Sequence, residues 1–302
     1  MAFSVDNLAS YLCQLRRAKH CYVAYSGGLD SHVLLHSLVQ LLGSESITAI
    51  HINHQLSKNA ASWEQHCQRQ CQQLGIKLIS ETVVVSASGQ GLEQAAREAR
   101  YEVFEQLLQQ GDLLLMAHHA DDQAETVLYR LLRGSGVRGL SGMPEQRALG
   151  DGSLLRPLLS CRRSELEDYA RRERLCWVDD ESNFAIDFDR NFLRHQVVPA
   201  LASRWQDYAE RISHSASLCG EADSLLDAVA ASDLEGLVEK KERRGWSIAL
   251  PEFLDLSPAR RASLLRFWVG DKGLSLPGHR ILETRARTAA CQGGCGAAGG
   301  LV

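Results

Sequence analysis

The stretch Cys21-Tyr22-Val23-Ala24-Tyr25-Ser26-Gly27-Gly28-Leu29-Asp30-Ser31 reads as a buried strand, a tight glycine turn and the start of a helix. The apolar run 21–25 is short and stops at Ser-Gly-Gly, as strands entering turns do. From residue 30 to 42, Val33, Leu34, Leu38, Leu41 and Leu42 recur at helical spacing. Glycines let a backbone approach a phosphate closely. A helix beginning just after them offers unpaired N–H groups and the positive end of its dipole to an anion. Ser26 and Ser31 add hydroxyl donors.

No lysine follows the glycines, so this is not the loop that cradles a transferred gamma phosphate. A lysine-free turn suits pyrophosphate as a leaving group, and hence ATP as the ligand, with Ser26, Gly27, Gly28, Leu29, Asp30 and Ser31 as the expected contacts. A carboxylate beside phosphates is repelled unless a cation intervenes, so Asp30 is expected to hold Mg²⁺ between itself and the nucleotide. The plainer alternative is an ordinary turn with Asp30 as helix N-cap.

Outward from this turn, strand and helix patterns alternate. Strands are expected at 47–52, 77–85 and 113–117, and helices at 62–74, 92–110 and 122–132, the helices closed near Gly75, Gly111 and Gly134. This alternation predicts an α/β fold with a parallel, doubly wound, Rossmann-like sheet whose ligands lie beyond the carboxyl ends of the strands. A glycine-rich loop spans 134–142, and a short apolar piece at 154–159 carries Arg156-Pro157. Beyond Arg162 the chain reads almost wholly helical, with helices near 162–174, 189–204 and 205–230. The expected organisation is a nucleotide-binding domain at 1–215, a smaller helical domain at 216–287, and a Gly/Ala/Cys tail at 288–302 without regular structure.

A second cluster, Ala117-His118-His119-Ala120-Asp121-Asp122-Gln123-Ala124-Glu125-Thr126, falls at another strand end. Asp122 and Glu125 are three apart on a helix start and share a face, fit for a metal or a cationic substrate. The plainer alternative is capping by Asp121 or Asp122 with Glu125 completing a capping box. On the long helix, Arg97 and Arg100 share a face that could hold phosphates or a carboxylate, or simply form a solvated surface with Glu93.

Composition is that of a globular chain, with 45% apolar and 23% charged residues. No run of 18 apolar residues occurs, and the first ten residues lack an export pattern, so a cytoplasmic protein without membrane contact is expected. The formal net charge of -4 counts against nucleic acid as a partner, although arginines gather at 130–138, 156–174, 190–194 and 260–266. The nine cysteines contain no CxxC pair.

Taken in order, Ser26–Ser31, His51-Ile52-Asn53-His54-Gln55-Leu56, the stretch 93–101, His118–Thr126, Arg133-Gly134-Ser135-Gly136, Arg156-Pro157-Leu158-Leu159, Asp180-Glu181-Ser182-Asn183 and Arg190-Asn191-Phe192-Leu193-Arg194 resemble the PP-loop ATP pyrophosphatases. More narrowly, they resemble the tRNA(Ile)-lysidine synthetases among them. The resemblance implies an adenine nucleotide alpha hydrolase-like fold and a two-step reaction. ATP adenylates the C2 oxygen of the wobble cytidine of tRNA(Ile) with a CAU anticodon; the amine of L-lysine then attacks C2 and expels AMP.

It further implies that Ile52 lies beside the adenosine, that Asp30, Arg97, Asp122 and Glu125 are catalytic, and that Arg97 or Arg100 neutralises developing phosphate charge. Asp122 and Glu125 would hold lysine, and Arg133, Arg138, Arg190 and Arg194 would contact tRNA phosphates. Residues after about 285 do not resemble the family, many of whose members carry a further small domain; truncation, a frameshift or a short natural form would each produce this. The oligomeric state is left open, with a homodimer one option. Two rivals stand beside this reading. A tRNA thiolase would need a cysteine pair that is missing. A nucleotide- or tRNA-binding protein without catalysis is disfavoured by Asp30, Asp122, Glu125 and the arginines.

Overall fold

Val23, Ala49, Leu114 and Leu115 are fully buried, which only a sheet covered on both faces provides. The computed structural model describes residues 3–85, 92–179, 189–243 and 245–274, with the backbone alone for Glu93. A 3-10 stretch (Val5–Tyr11) and helix α1 (Leu12–Arg17) lead into strand β1 (Cys21–Ala24) and helix α2 (Leu29–Leu42). Then follow β2 (Ile47–Asn53), α3 (Ala60–Leu74), β3 (Lys77–Thr82), α4 (Leu92–Leu107), β4 (Leu113–Leu115), α5 (Ala120–Leu132) and α6 (Val137–Leu140). Strands β5 (Gln146–Leu149) and β6 (Gly152–Leu155) and helix α7 (Arg163–Arg172) complete the layer.

The sheet order is β3-β2-β1-β4-β6-β5. All neighbours are parallel except β5, which pairs antiparallel with β6 at the edge. That hairpin corrects the single apolar piece expected at 154–159. Successive strand residues enter opposite cores. Cys21, Val23, Leu113 and Leu115 pack with α2, α3 and α7, while Tyr22, Ala24, Leu114 and Met116 pack with α4. Each fully buried valine or leucine among them contributes about 1.5–3 kcal/mol by leaving water.

The chain runs outward from β1 to β3 and then crosses back to place β4 on the other side of β1. The carboxyl ends of β1 and β4 therefore flank the point where strand order reverses, where open α/β sheets bind ligands.

The helix expected over 189–204 is broken into α8 (Asp189–Phe192), a π-helical turn at Leu193–Val197 and α9 (Val198–Arg204). Pro199 sits in the first turn of α9, where its missing N–H is tolerated, so the preceding turn must widen. Helix α10 (Tyr208–Glu235) follows. The contacts divide the chain into a unit over Met1–Ser217 and one over Leu218–Val302.

In the second unit, β7 (Glu239–Glu242) and β8 (Gly245–Ile248) form an antiparallel hairpin ahead of α11 (Leu250–Asp255) and α12 (Pro258–Asp271). Its core is Ile248, Phe253, Leu264, Leu265 and Trp268. The hairpin is an addition to the helices expected there. The tail at 288–302 and the motif at 180–183 lie outside the described residues.

Candidate active site

The loop after β1 is held by its own serines. The Ser31 hydroxyl donates to the Gly28 carbonyl at 2.9 Å and lies 3.1 Å from Ser26 Oγ, whose oxygen accepts the Gly28 N–H. These bonds shape the turn that carries Ser31, one of the two hydroxyls expected to donate to a phosphate. Gly28 is the N-cap of α2, with extended backbone, so Asp30 is not the cap. The first intrahelical bond runs from the His32 N–H to Gly28, leaving the amides of residues 29–31 without helical partners.

Gly27 has φ +84°, and a Cβ there would meet Cys67 Sγ at 2.8 Å. Gly27→Ala is expected to cost about 2–4 kcal/mol, from left-handed strain plus overpacking. Denaturant midpoints check this: combining it with Cys67→Ala restores only the overpacking share, and an unchanged midpoint for Gly27→Ala alone contradicts the account.

Asp30 lies one residue into α2. Its Oδ1 is buried without a hydrogen-bond partner, and its Oδ2 is 3.7 Å from His119 Nε2. Burial raises its pKa against the pull of His119, Arg163 and Arg194. No group of three or more His, Cys, Asp or Glu able to hold a metal occurs among the described residues. An orphaned carboxylate oxygen of this kind fits Mg²⁺, which takes one or two protein carboxylates and completes its shell with phosphates and water.

The loop after β4 brings His118 to Asp122 beside this turn. The N-cap of α5 is His119, with Asp122 completing the capping box, not Asp121 or Asp122 with Glu125. His119 is 1% exposed. Its Nδ1 is 3.5 Å from Asp121, and its Nε2 is 3.3 Å from Asp122. Burial opposes its charge, but Asp122, Asp121 and Asp30 outweigh that and lift its pKa to about 9. The charged ring is held by these carboxylates, and only the neutral ring can accept the Asp122 N–H at Nδ1, at 3.4 Å, as a capping box requires.

With a folded pKa near 9 and an unfolded one near 6.5, His119 stabilises fully below about pH 6.5 and loses that contribution as pH rises through about 9. Without Mg²⁺ and nucleotide, wild type should lose about 3 kcal/mol more than His119→Gln across this window. Parallel denaturation curves for the two proteins would contradict it.

Asp122 and Glu125 do share a face, and it is filled. Arg194 donates from Nε to Glu125 Oε1 at 2.7 Å, and from Nη2 to Glu125 Oε2 at 2.8 Å and Asp122 Oδ1 at 2.9 Å. Arg190 reaches both acids at 3.3 Å. Arg190 and Arg194, expected on tRNA phosphates, are thus held by the two acids expected on lysine. Asp122 stays charged because, against burial, His119, Arg190 and Arg194 hold its pKa well below the usual range. Asp121 accepts the Arg163 N–H at 2.8 Å and the Tyr208 hydroxyl at 2.5 Å, which ties α7 and the start of α10 to the site.

Two adjoining cavities open here. The larger, about 700 Å³, is bordered by the phosphate turn, Ile52, His54, Trp63, Arg97 and Met116, among others. Arg100 and His118 also line it; burial pushes His118 down to about 3, so its ring is neutral. The smaller, about 350 Å³, is lined by Asp121, Glu125, Glu167 and Asp179 together with His119, Arg163 and Arg194. Arg163, Asp179 and Arg194 border both.

Arg133 and Arg138 border neither; Arg133 is exposed at the end of α5 against Tyr129, and Arg138 is on α6. The side chain of Glu93 lies outside the described residues. Arg163, Glu167, Asp179, Trp63 and Tyr208 were not singled out from the sequence, because nothing in their local pattern separates them from ordinary surface and core residues.

A strand-end glycine turn with an orphaned carboxylate, beside a cavity of about 700 Å³, is the arrangement expected of the PP-loop class. The sequence matches the PP-loop domain over residues 3–201, and the chain belongs to that family. Residues 248–297 match the TilS substrate binding domain. The chain is 43% identical over 284 residues to the tRNA(Ile)-lysidine synthase of Coxiella burnetii, covering 93% of this chain and 62% of that protein. It is 47% identical over 258 residues to that of Pseudomonas putida, covering 83% of this chain and 60% of that protein. The chain thus spans about three-fifths of the length of these relatives. Its fold is also similar to the U34-tRNA thiolase NcsA of Methanococcus maripaludis, with a TM-score of 0.56 at 14% identity, covering 71% of this chain and 80% of that one.

Proposed function

We propose that the protein is a tRNA(Ile)-lysidine synthetase, joining L-lysine to C2 of the wobble cytidine of tRNA(Ile) with a CAU anticodon, in the cytoplasm. The observation that carries this is the pair of cavities. One is sized for a nucleotide and bordered by a lysine-free glycine turn. The other is small and acid-rich and shares the walls Arg163, Asp179 and Arg194.

In the first step the cytidine O2 attacks the α-phosphorus of ATP, the bond to the bridging oxygen breaks, and pyrophosphate leaves. The amides of residues 29–31 receive the departing diphosphate at the helix's positive end. Asp30 would hold Mg²⁺, which when bound neutralises phosphate charge. Arg97, in the wall of the larger cavity, offsets charge developing on the α-phosphate.

In the second step the lysine amine attacks C2 and AMP leaves with the former O2. In the smaller cavity, four carboxylates against two guanidiniums and the His119 cation favour an amine. The proton lost on attack passes to one of the paired acids, Asp122 in the wall of the larger cavity or Glu125 in that of the smaller.

The resemblance to the lysidine synthases of Coxiella and Pseudomonas supports the substrates. The thiolase alternative is supported only at the level of fold. The test is transfer of radiolabelled lysine into tRNA(Ile) bearing an unmodified CAU anticodon. Label should enter only with ATP and disappear with Asp30→Ala. No label from wild type overturns the proposal, and label surviving Asp30→Ala overturns the role of that residue.

A further inference from the structure

Tyr101, on α4, stands among three guanidiniums. Arg97 lies 4.9 Å and Arg147 5.1 Å from its ring centroid, Arg156 acts on it electrostatically, and its hydroxyl donates to Met116 Sδ at 3.7 Å. Arg156 is 2% exposed; its Nη1 donates to the Pro144 carbonyl at 2.6 Å, and its Nε is buried without an acceptor. Among the described residues the ion pairs of this unit involve other arginines, and no carboxylate pairs with Arg97, Arg147 or Arg156. Tyr101 supplies partial compensation: burial raises its pKa, but Arg97, Arg156 and Arg147 together bring it below its ordinary value.

A buried cation in a protein is paired, so Arg156, with the half-buried Arg97 and Arg147 beside it around one phenol, calls for an anion. Guanidinium forks match a phosphate's oxygens. The position narrows the source. Arg156 directly follows β6, the neighbour of β4, whose end carries His118. Arg97 lines the larger cavity, whereas Arg147 and Arg156 do not. The cage therefore sits at the margin of the nucleotide cavity, one strand beyond the reacting end.

We propose that Arg97, Arg147 and Arg156 around Tyr101 form a phosphate subsite, filled by a phosphodiester of the RNA strand that presents the reacting base. This rests on the function proposed above.

Arg147 is half-buried on the edge strand β5, so Arg147→Gln should fold, which a melting curve verifies. The probe is an anticodon stem-loop RNA with an unmodified CAU, titrated into the full chain at several salt concentrations. Arg147→Gln should bind about ten-fold more weakly at low salt, with the slope of log affinity against log salt smaller by about one, and with the KM for ATP unchanged. RNAs carrying single neutral methylphosphonate linkages should include one that wild type and variant bind equally. An unchanged salt slope with normal RNA binding overturns the subsite alone. A raised KM for ATP with unchanged RNA affinity assigns the cage to the nucleotide and overturns the RNA assignment. Absence of RNA binding by the unaltered protein overturns this inference and the function beneath it.

Discussion

Asp30→Asn is expected to lower ATP turnover about 10³-fold while changing stability by less than about 1 kcal/mol. The size of the first effect follows from charge: an amide in the same place cannot anchor a divalent cation against the phosphates. The smallness of the second follows from the surroundings. Asp30 Oδ1 makes no hydrogen bond, so the fold gains little from that atom and bears its desolvation. His119 keeps Asp121 and Asp122 when Asp30 loses its charge. Sites that trade stability for function behave in this way. Turnover measured across a Mg²⁺ titration, beside a denaturation curve, checks both halves; large losses in both would make Asp30 a structural residue.

Glu125→Ala, unlike Asp30→Asn, should cost about 3–5 kcal/mol of stability, as removal of one partner of a buried ion pair does. Glu125 is 2% exposed and accepts two bonds from Arg194 and one from Arg190. Without it, two half-buried guanidiniums share Asp122 alone. Adding Arg194→Met to Glu125→Ala removes the excess charge, so the double variant should be less destabilised than the sum of the two single changes by about 1–3 kcal/mol. Additive losses would show that the pair is not coupled. Lysine transfer should fail in Glu125→Ala, because one wall of the acid-rich cavity is gone.

These two residues show what was legible in the sequence. Asp30 was read correctly as part of a strand–turn–helix because that signal is local, carried by Gly27, Gly28 and the leucines of α2. The strand–helix alternation of the first unit was readable for the same reason, since both sheet faces demand apolar side chains. Strands β5 and β7 were not. Gln146-Arg147-Ala148-Leu149 and Glu239-Lys240-Lys241-Glu242 lack an apolar alternation, and their partners across a hairpin determine them.

The same limit applied at the site. Asp122, Glu125, Arg190 and Arg194 were each singled out, but their union was not, because the pairs lie 65 to 72 positions apart in sequence. A carboxylate pair without its counter-ions reads as an empty cation site. The role of His119 was left open in the sequence for a related reason: its charge depends on three carboxylates converging on it, one of them from α2.

The turn at residues 26–31 can be tested through the bond that ATP breaks. With ATP labelled at the α-phosphate, unmodified tRNA(Ile) and no lysine, the account predicts labelled AMP attached to RNA and one free pyrophosphate for each attachment. Lysine should then release the label as AMP. Formation of ADP, or release of inorganic phosphate from the γ position, would mean that the turn does not hold pyrophosphate as the leaving group and would contradict the account.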